Sequence, residues 1–296
     1  MRFQEITLDD IEVFQPFLSE FKARTCDFTV GGLFMWRKIF AMQYAMEDNV
    51  MYSRLHSANG DVYYNLPIGG SITDAISRIL EYERPRKTQT VRFCTVPEEY
   101  VCLFSHMRAA VTSEEQFSDY LYRAEDLALL PGRKYSAQRN RIHQFERENS
   151  EWSFTPLQKE DLPEVIEYVN GEFCASHNDT SVFGAEEQKM TIEVLENPEK
   201  YNNLFGAILR AENRIVGFSI GEIKGDTLYV HIEKASRSSK GAYQQLTKQF
   251  VKKFSTNGVM YVNREEDMGD EGLRSAKLAY HPAALLKKYT VEVDLT

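Results

Sequence analysis

Thr227-Leu228-Tyr229-Val230-His231-Ile232 runs directly into Glu233-Lys234-Ala235-Ser236-Arg237-Ser238-Ser239-Lys240 and then into Gly241-Ala242-Tyr243, and this succession decides the fold. The first block is β-rich and short, which reads as a strand. The second is a polar, basic loop. From Gly241 onward Tyr243, Leu246, Phe250 and Phe254 recur at spacings of three and four, the buried stripe of an amphipathic helix. Working outward, 204–210 and 215–223 read as strands joined by a hairpin turn at Glu212-Asn213. Gly225-Asp226 makes the turn into 227–232. Downstream, Val259-Met260-Tyr261-Val262 is a strand, 272–280 a helix and 289–295 a closing strand. Hairpin, strand, loop, helix, strand, helix, strand is a mixed α/β order.

The first half carries a strand at 61–67, a helix at 72–83, a strand at 90–96 and a bridging helix at 133–148 with Tyr135, Ile142 and Phe145 on its apolar stripe. An internal repeat links it to the second half. Ile6-Thr7-Leu8-Asp9-Asp10-Ile11 leads into Val13 to Leu18, and Leu157-Gln158-Lys159-Glu160-Asp161-Leu162 leads into Val165 to Val169. Each is a short strand, an acidic pair suited to a helix N-terminus, and a helix. Duplication of a domain of about 150 residues gives such a spacing, so the expected domains are 1–150 and 151–296.

With 296 residues, 43% of them hydrophobic, each half is large enough to bury a core of its own. Cys26, Cys94, Cys102 and Cys174 stand far apart, which points to reduced thiols and a cytoplasmic setting rather than a disulfide framework. No apolar run approaches the roughly 20 residues of a transmembrane segment, which leaves attachment to a membrane periphery open. A formal charge of −9 counts against a broad nucleic-acid surface, and so against DNA as a partner. The oligomeric state is not legible.

Four groups of residues carry candidate chemistry. A helix N-terminus favours anions, so Arg237, Ser238, Ser239, Lys240, Gly241, Ala242 and Tyr243 form a candidate cradle for a donor's phosphates, with Gly241 letting a phosphate near the backbone. Glu233, with His231 two positions earlier, is placed to deprotonate an attacking amine. Asn263-Arg264-Glu265-Glu266-Asp267 follows a strand, where open α/β sheets bind ligands. Asn263, Arg264, Glu266 and Asp267 are therefore candidate acceptor ligands, and Lys277 lies on the next helix. No residue spacing dictates a metal site. Arg139, His143 and Arg147 share a helix face that suits a phosphate-rich partner or acidic residues of the chain itself.

The second half resembles a GNAT-type N-acyltransferase domain, whose coenzyme A loop reads Arg/Gln-x-x-Gly-x-Gly/Ala. Arg237 and Ala242 match its ends, while Lys240 replaces the middle glycine and Gly241 lies one place late. The whole chain resembles a bacterial family allied to the C-terminal region of phosphatidylglycerol lysyltransferases and to Fem-type aminoacyltransferases. The stretches that carry this are Lys134-Tyr135 with Arg139-Asn140-Arg141, Gly217 to Glu222, His231 to Ala235, Asn263 to Gly269, Leu273 to Lys277, and Tyr280-His281-Pro282. The resemblance implies two tandem GNAT-like domains, the first degenerate and the second holding the donor site. It also implies transfer of an acyl or aminoacyl group to an amine, lipid head group or small molecule. The donor would be an aminoacyl-tRNA or a coenzyme A thioester, with no tightly bound cofactor, and Lys277 would be catalytic. The altered glycine loop also fits a ligand-binding module that has lost catalysis.

Overall fold

The computed structural model describes residues 1–57, 59–173, 182–256 and 258–296, so Cys174 lies outside the described residues. The first elements are β1 (Gln4–Glu5), α1 (Ile11–Glu20), α2 (Val30–Trp36), β2 (Gln43–Glu47), β3 (Val50–His56), β4 (Val62–Tyr64), α3 (Ile72–Glu83), β5 (Thr90–Pro97) and β6 (Ala109–Ser113). Next come β7 (Asp119–Arg123), α4 (Ala124–Leu129), α5 (Ser136–Glu148), β8 (Trp152–Pro156), α6 (Leu162–Tyr168) and α7 (Val182–Glu196). The chain continues with β9 (Phe205–Ala211), β10 (Arg214–Lys224), β11 (Thr227–Ala235), α8 (Ala242–Phe254) and β12 (Tyr261–Asn263). It ends with α9 (Glu271–Leu278), β13 (Ala284–Leu286) and β14 (Lys288–Asp294).

One compact unit comprises Met1–Asp119, Glu266–Glu271 and Leu285–Thr296. Its seven-stranded sheet has the order β1-β2-β3-β4-β5-β14-β6. The chain's final strand is an interior strand here, antiparallel to both β5 and β6. Its alternation explains the insertion: Val291 and Val293 are buried, the period-two pattern of a strand with one face on a core. Phe14, Phe34 and Tyr44 pack edge to face in that core. The spacing of Trp36, Phe40 and Tyr44 suggests one helix, but α2 stops at Trp36 and Tyr44 lies in β2.

The other unit comprises Tyr120–Glu265 and Gly272–Ala284, and the order of its sheet is β13-β7-β12-β11-β10-β9-β8. The β9–β10 turn places Glu212 and Asn213 at φ 49° and 62°, the left-handed pair a two-residue hairpin needs. Between β10 and β11 the register steps from Ile220↔Ile232 to Gly221↔Val230, leaving His231 as the extra residue of a β-bulge. Helix α8 buries Leu246 and Phe250 against β9 to β11, where Leu209, Ala211, Val216 and Ala235 form the core with Phe145 of α5.

The division between units differs from the expected halves 1–150 and 151–296. Residues 120–150 belong with the second sheet, because β7 pairs with β12 and Phe145 fills the core under α8. Residues 285–296 belong with the first. Local reading could not foresee either exchange, since strand partners are chosen by tertiary pairing. The internal repeat has a physical counterpart. Thr7 N–H donates to Asp10 Oδ2 at 2.8 Å ahead of α1, and Gln158 N–H donates to Asp161 Oδ2 at 2.9 Å ahead of α6.

Gly241, at φ 85°, precedes α8, and a Cβ on it would lie 2.1 Å from the carbonyl oxygen of Arg141 in α5. The glycine is therefore required for helix packing. Gly241→Ala combines a left-handed backbone cost of about 1–2 kcal/mol with overpacking of about 1–3 kcal/mol. Urea unfolding is expected to show a lower midpoint for this variant, and an unchanged midpoint would contradict the packing role.

Candidate active site

Strands β11 and β12 are parallel neighbours, but their pairing stops at Tyr229↔Asn263 while β11 runs on to Ala235. Beyond that last rung, at the C-terminal ends where open α/β sheets place ligands, the side chains of Glu233 and Arg264 meet. Arg264 Nη2 donates to Glu233 Oε2, and the other carboxylate oxygen accepts from Thr247 Oγ1 of α8 at 2.6 Å. The pair is nearly enclosed, with side-chain exposures of 11% and 12%. The guanidinium carbon lies 5.1 Å from the ring centre of Tyr280 and 5.9 Å from that of Tyr122. Arg264 Nη1 makes no well-formed hydrogen bond, nor does the buried Tyr280 hydroxyl, which has the Thr247 hydroxyl nearby. Burial lifts the Tyr280 hydroxyl to about 12, so it stays a proton donor at neutral pH. A buried cation with one uncommitted N–H group beside a neutral phenol is suited to a carbonyl oxygen that gains negative charge.

His231 was expected to act as a base beside Glu233, and the structure corrects this. The bulge breaks the simple alternation behind that expectation and directs His231 between two carboxylates: Nε2 lies 2.8 Å from Glu222 and Nδ1 2.7 Å from Glu265. Burial opposes its charge, but Glu222 and Glu265 outweigh it and lift the pKa to about 10. An imidazolium donating from both nitrogens has no lone pair to offer. Asn203 Nδ2 donates to the second oxygen of Glu222 at 2.8 Å, extending the chain of contacts.

Lys277, expected to be catalytic, is instead a clamp. Its Nζ donates to the carbonyl oxygens of Arg264 at 2.6 Å and Glu265 at 3.2 Å, and the side chain is buried. Asn263 is fully buried and accepts from the Glu265 N–H at 2.7 Å. These bonds fix the backbone through Glu265, which sits at φ 56°, and so aim Arg264. Glu233, expected as general base, is committed to Arg264 and Thr247. Glu266 and Asp267, expected with Asn263 and Arg264 as acceptor ligands, fall in the other compact unit. There Asp267 Oδ1 accepts from Gly269 N–H at 2.8 Å.

The donor loop is part open and part spent. Arg237, Ser238 and Lys240 are exposed. Ser238 Oγ is 2.7 Å from Ser236 Oγ, and Ser239 N–H bonds the Ser236 carbonyl oxygen. Gly241 and Ala242 are buried, and Tyr243 is half-buried beneath the loop. Arg139, on the basic helix, donates to the carbonyl oxygens of Leu130 and Gly132. Thr247 and Tyr122 are not among the residues that the sequence marks as candidates. Thr247 was visible as a hydroxyl among the apolar residues of α8, whereas Tyr122 reaches the site only through the β7–β12 pairing.

The first unit holds a separate cluster. Cys26, Asp119 and Glu266 bring ligand atoms within 4.8 Å of one another, a grouping able to hold a metal ion. Lys288 Nζ already supplies the positive charge, 2.6 Å from Asp119, 3.0 Å from Glu266 and 2.9 Å from Asp27. Burial outweighs this cation at Asp119 and pushes it up to about 6. At Glu266 burial acts the same way, but Lys288 prevails and lowers the carboxyl to about 2.

The sequence pattern described as phosphatidylglycerol lysyltransferase, C-terminal, matches residues 19–292. A conserved protein of unknown function from Bacteroides thetaiotaomicron is 29% identical with a TM-score of 0.91, over 99% of this chain and 100% of that one. L-PGS from Bacillus licheniformis is 16% identical with a TM-score of 0.66, over 95% and 90%. FemX is 9% identical with a TM-score of 0.51, over 98% and 97%. The fold is thus the expected mixed α/β class, built on two seven-stranded sheets, and FemX shares it. The chain spans 57% of the length of a curated relative, an uncharacterized protein of Mycoplasmoides gallisepticum, 21% identical over 181 residues. Among the described residues no helix is long and apolar enough to cross a membrane.

Proposed function

Because the chain belongs to the phosphatidylglycerol lysyltransferase C-terminal family, we propose that it is an aminoacyltransferase, moving an aminoacyl group from a tRNA ester to a lipid head group or small amine. The observation that carries this reading is Arg264 Nη1, a buried donor without a partner at the parting of β11 and β12. In the reaction the acceptor attacks the ester carbonyl, and the oxygen that becomes negative accepts from Arg264 Nη1 and the Tyr280 hydroxyl; as the carbonyl re-forms, the C–O bond to the tRNA ribose breaks and the ribose oxygen leaves as a hydroxyl, taking up the proton that the acceptor gives up. Glu233 and Thr247 hold the guanidinium in place rather than moving protons. Asn263 and Lys277 fix the backbone that presents it. The exposed Arg237 and Lys240, with Ser238, Ser239 and Tyr243 around them, take the donor's phosphates. Gly241 is occupied by the Arg141 carbonyl, which favours a polyanion held by side chains over coenzyme A cradled by backbone.

The test is transfer of labelled lysine from lysyl-tRNA to phosphatidylglycerol vesicles by the purified chain. Arg264→Lys, which keeps the charge but loses the fork, is expected to lower kcat by roughly 100-fold, the usual effect of removing one oxyanion donor. Arg237→Ala with Lys240→Ala is expected to raise KM for the tRNA with kcat little changed. Absence of transfer from any of several aminoacyl-tRNAs, to lipids or to amines, would overturn the enzymatic reading. The second reading is then a catalytically inactive ligand-binding module, which the engagement of both His231 and Glu233 in ion pairs favours.

A further inference from the structure

The cluster in the first unit is unused by the transfer reaction, and it joins a thiol to an amine. Cys26 lies in a short 3-10 turn, Cys26–Phe28, and Lys288 is the first residue of β14. Although 262 positions apart, Lys288 Nζ and Cys26 Sγ are 3.4 Å from each other. Asp119 Oδ1 is 3.5 Å from the sulfur, and so is Glu266 Oε2. The same two carboxylates contact the amine, so proton acceptors touch both partners. Cys26 is 5% exposed and Lys288 is 6% exposed.

Burial and the Asp119 charge push the Cys26 thiol well up, so its oxidation is slow. The same enclosure selects the outcome. With only 5% of its surface exposed, Cys26 offers little access to a thiol the size of glutathione, whereas the Lys288 amine already lies 3.4 Å from the sulfur. An oxidised Cys26 therefore meets the Lys288 amine before any external thiol. Sulfenic acids condense with neighbouring nitrogen to give sulfenamides.

We propose that Cys26 and Lys288 form a reversible sulfur–nitrogen cross-link when the protein meets hydrogen peroxide. In the first step the sulfur attacks one peroxide oxygen. The S–O bond forms, the O–O bond breaks, and the thiol proton passes through Asp119 to the departing hydroxide as water. In the second step Lys288 gives a proton to the carboxylates and its Nζ attacks the sulfur. The S–N bond forms, the S–O bond breaks, and hydroxide leaves as a second water. One peroxide is reduced by two electrons, the sulfur is oxidised by two, and the ammonium's surplus proton goes to solvent. A small dithiol attacking the sulfur reverses the bond when the protein is loosened.

The test is tandem mass spectrometry of the peroxide-treated full chain after digestion, with the exposed Cys102 as an internal gauge of oxidation. The expected product is a joined peptide pair containing residues 26 and 288, two hydrogens lighter than the sum of the reduced peptides and absent after dithiothreitol in denaturant. Peroxide should also raise the melting temperature of the native protein, and leave Cys26→Ser unmoved. That variant keeps Lys288 among its carboxylates and so preserves the cluster's charge balance. Recovery of Cys26 as free thiol, or as sulfinic or sulfonic acid with Lys288 unmodified, once Cys102 is fully oxidised, would overturn the proposal.

Discussion

Lys288→Met is expected to lower the stability of the protein by about 3–5 kcal/mol at pH 8, the usual cost of stripping one partner from a buried ion cluster. Lys288 is the common contact of Asp27, Asp119 and Glu266, all within 3.0 Å of its ammonium. Methionine fills most of the volume, so the loss is one of charge rather than packing. Without the cation, burial lifts the folded-state pKa of all three carboxyls above their unfolded values. The native state then binds more protons than the unfolded state, so the variant loses stability as pH rises and recovers it as pH falls. Chemical denaturation at pH 8 and pH 5 checks this, and a destabilisation of the same size at both would refute the electrostatic account. Adding Asp119→Asn to Lys288→Met is expected to restore part of the loss, because one uncompensated charge is removed.

His231→Gln is the second large effect, with an expected loss of about 3–5 kcal/mol at pH 6. Glutamine offers hydrogen bonds but no charge to Glu222 and Glu265, which are buried or nearly so. The pH dependence identifies the cause. The folded pKa of His231 is about 10 against an ordinary 6.5. A raised basic group contributes its full stability below about 6.5 and loses it as pH rises through 10. Wild type should therefore lose stability across that window, while His231→Gln should run nearly flat through it. Parallel curves for the two proteins from pH 6 to 10 would show that His231 is not the titrating group. Since Glu265 follows Arg264, the same variant should depress the proposed transfer as well.

Much of the fold is legible in the chain. The helix expected at 72–83 is found over those residues, and the helix of the decisive stretch runs to Phe254 as its stripe requires. The left-handed pair Glu212-Asn213 closes the hairpin where the residue types place it. That Glu233, Arg264 and Lys277 lie near one another at the ends of β11 and β12 is legible too. Their roles are not. A carboxylate at a strand end reads as a base, yet Glu233 is paired with Arg264. A lysine on the next helix reads as catalytic, yet Lys277 binds two carbonyl oxygens. Charge alone marks these residues as interesting, and only the identity of the nearest partner says what each can do.

By itself the sequence determined what depends on near neighbours: helix stripes, turn chemistry, the repeated capping device at Asp10 and Asp161, and the mixed α/β class. Tertiary structure alone decided which strands share a sheet, and so placed β7 beside β12 and β14 between β5 and β6. It also made His231 a clamped cation, gave Gly241 to the α5 backbone, and set Lys288 against Cys26. The physical reason is range. Propensity, capping and periodicity act over a few residues, whereas pairing partners and the burial of charges are chosen by groups far apart in the chain. Lys288 and Cys26, 262 positions apart, show this directly.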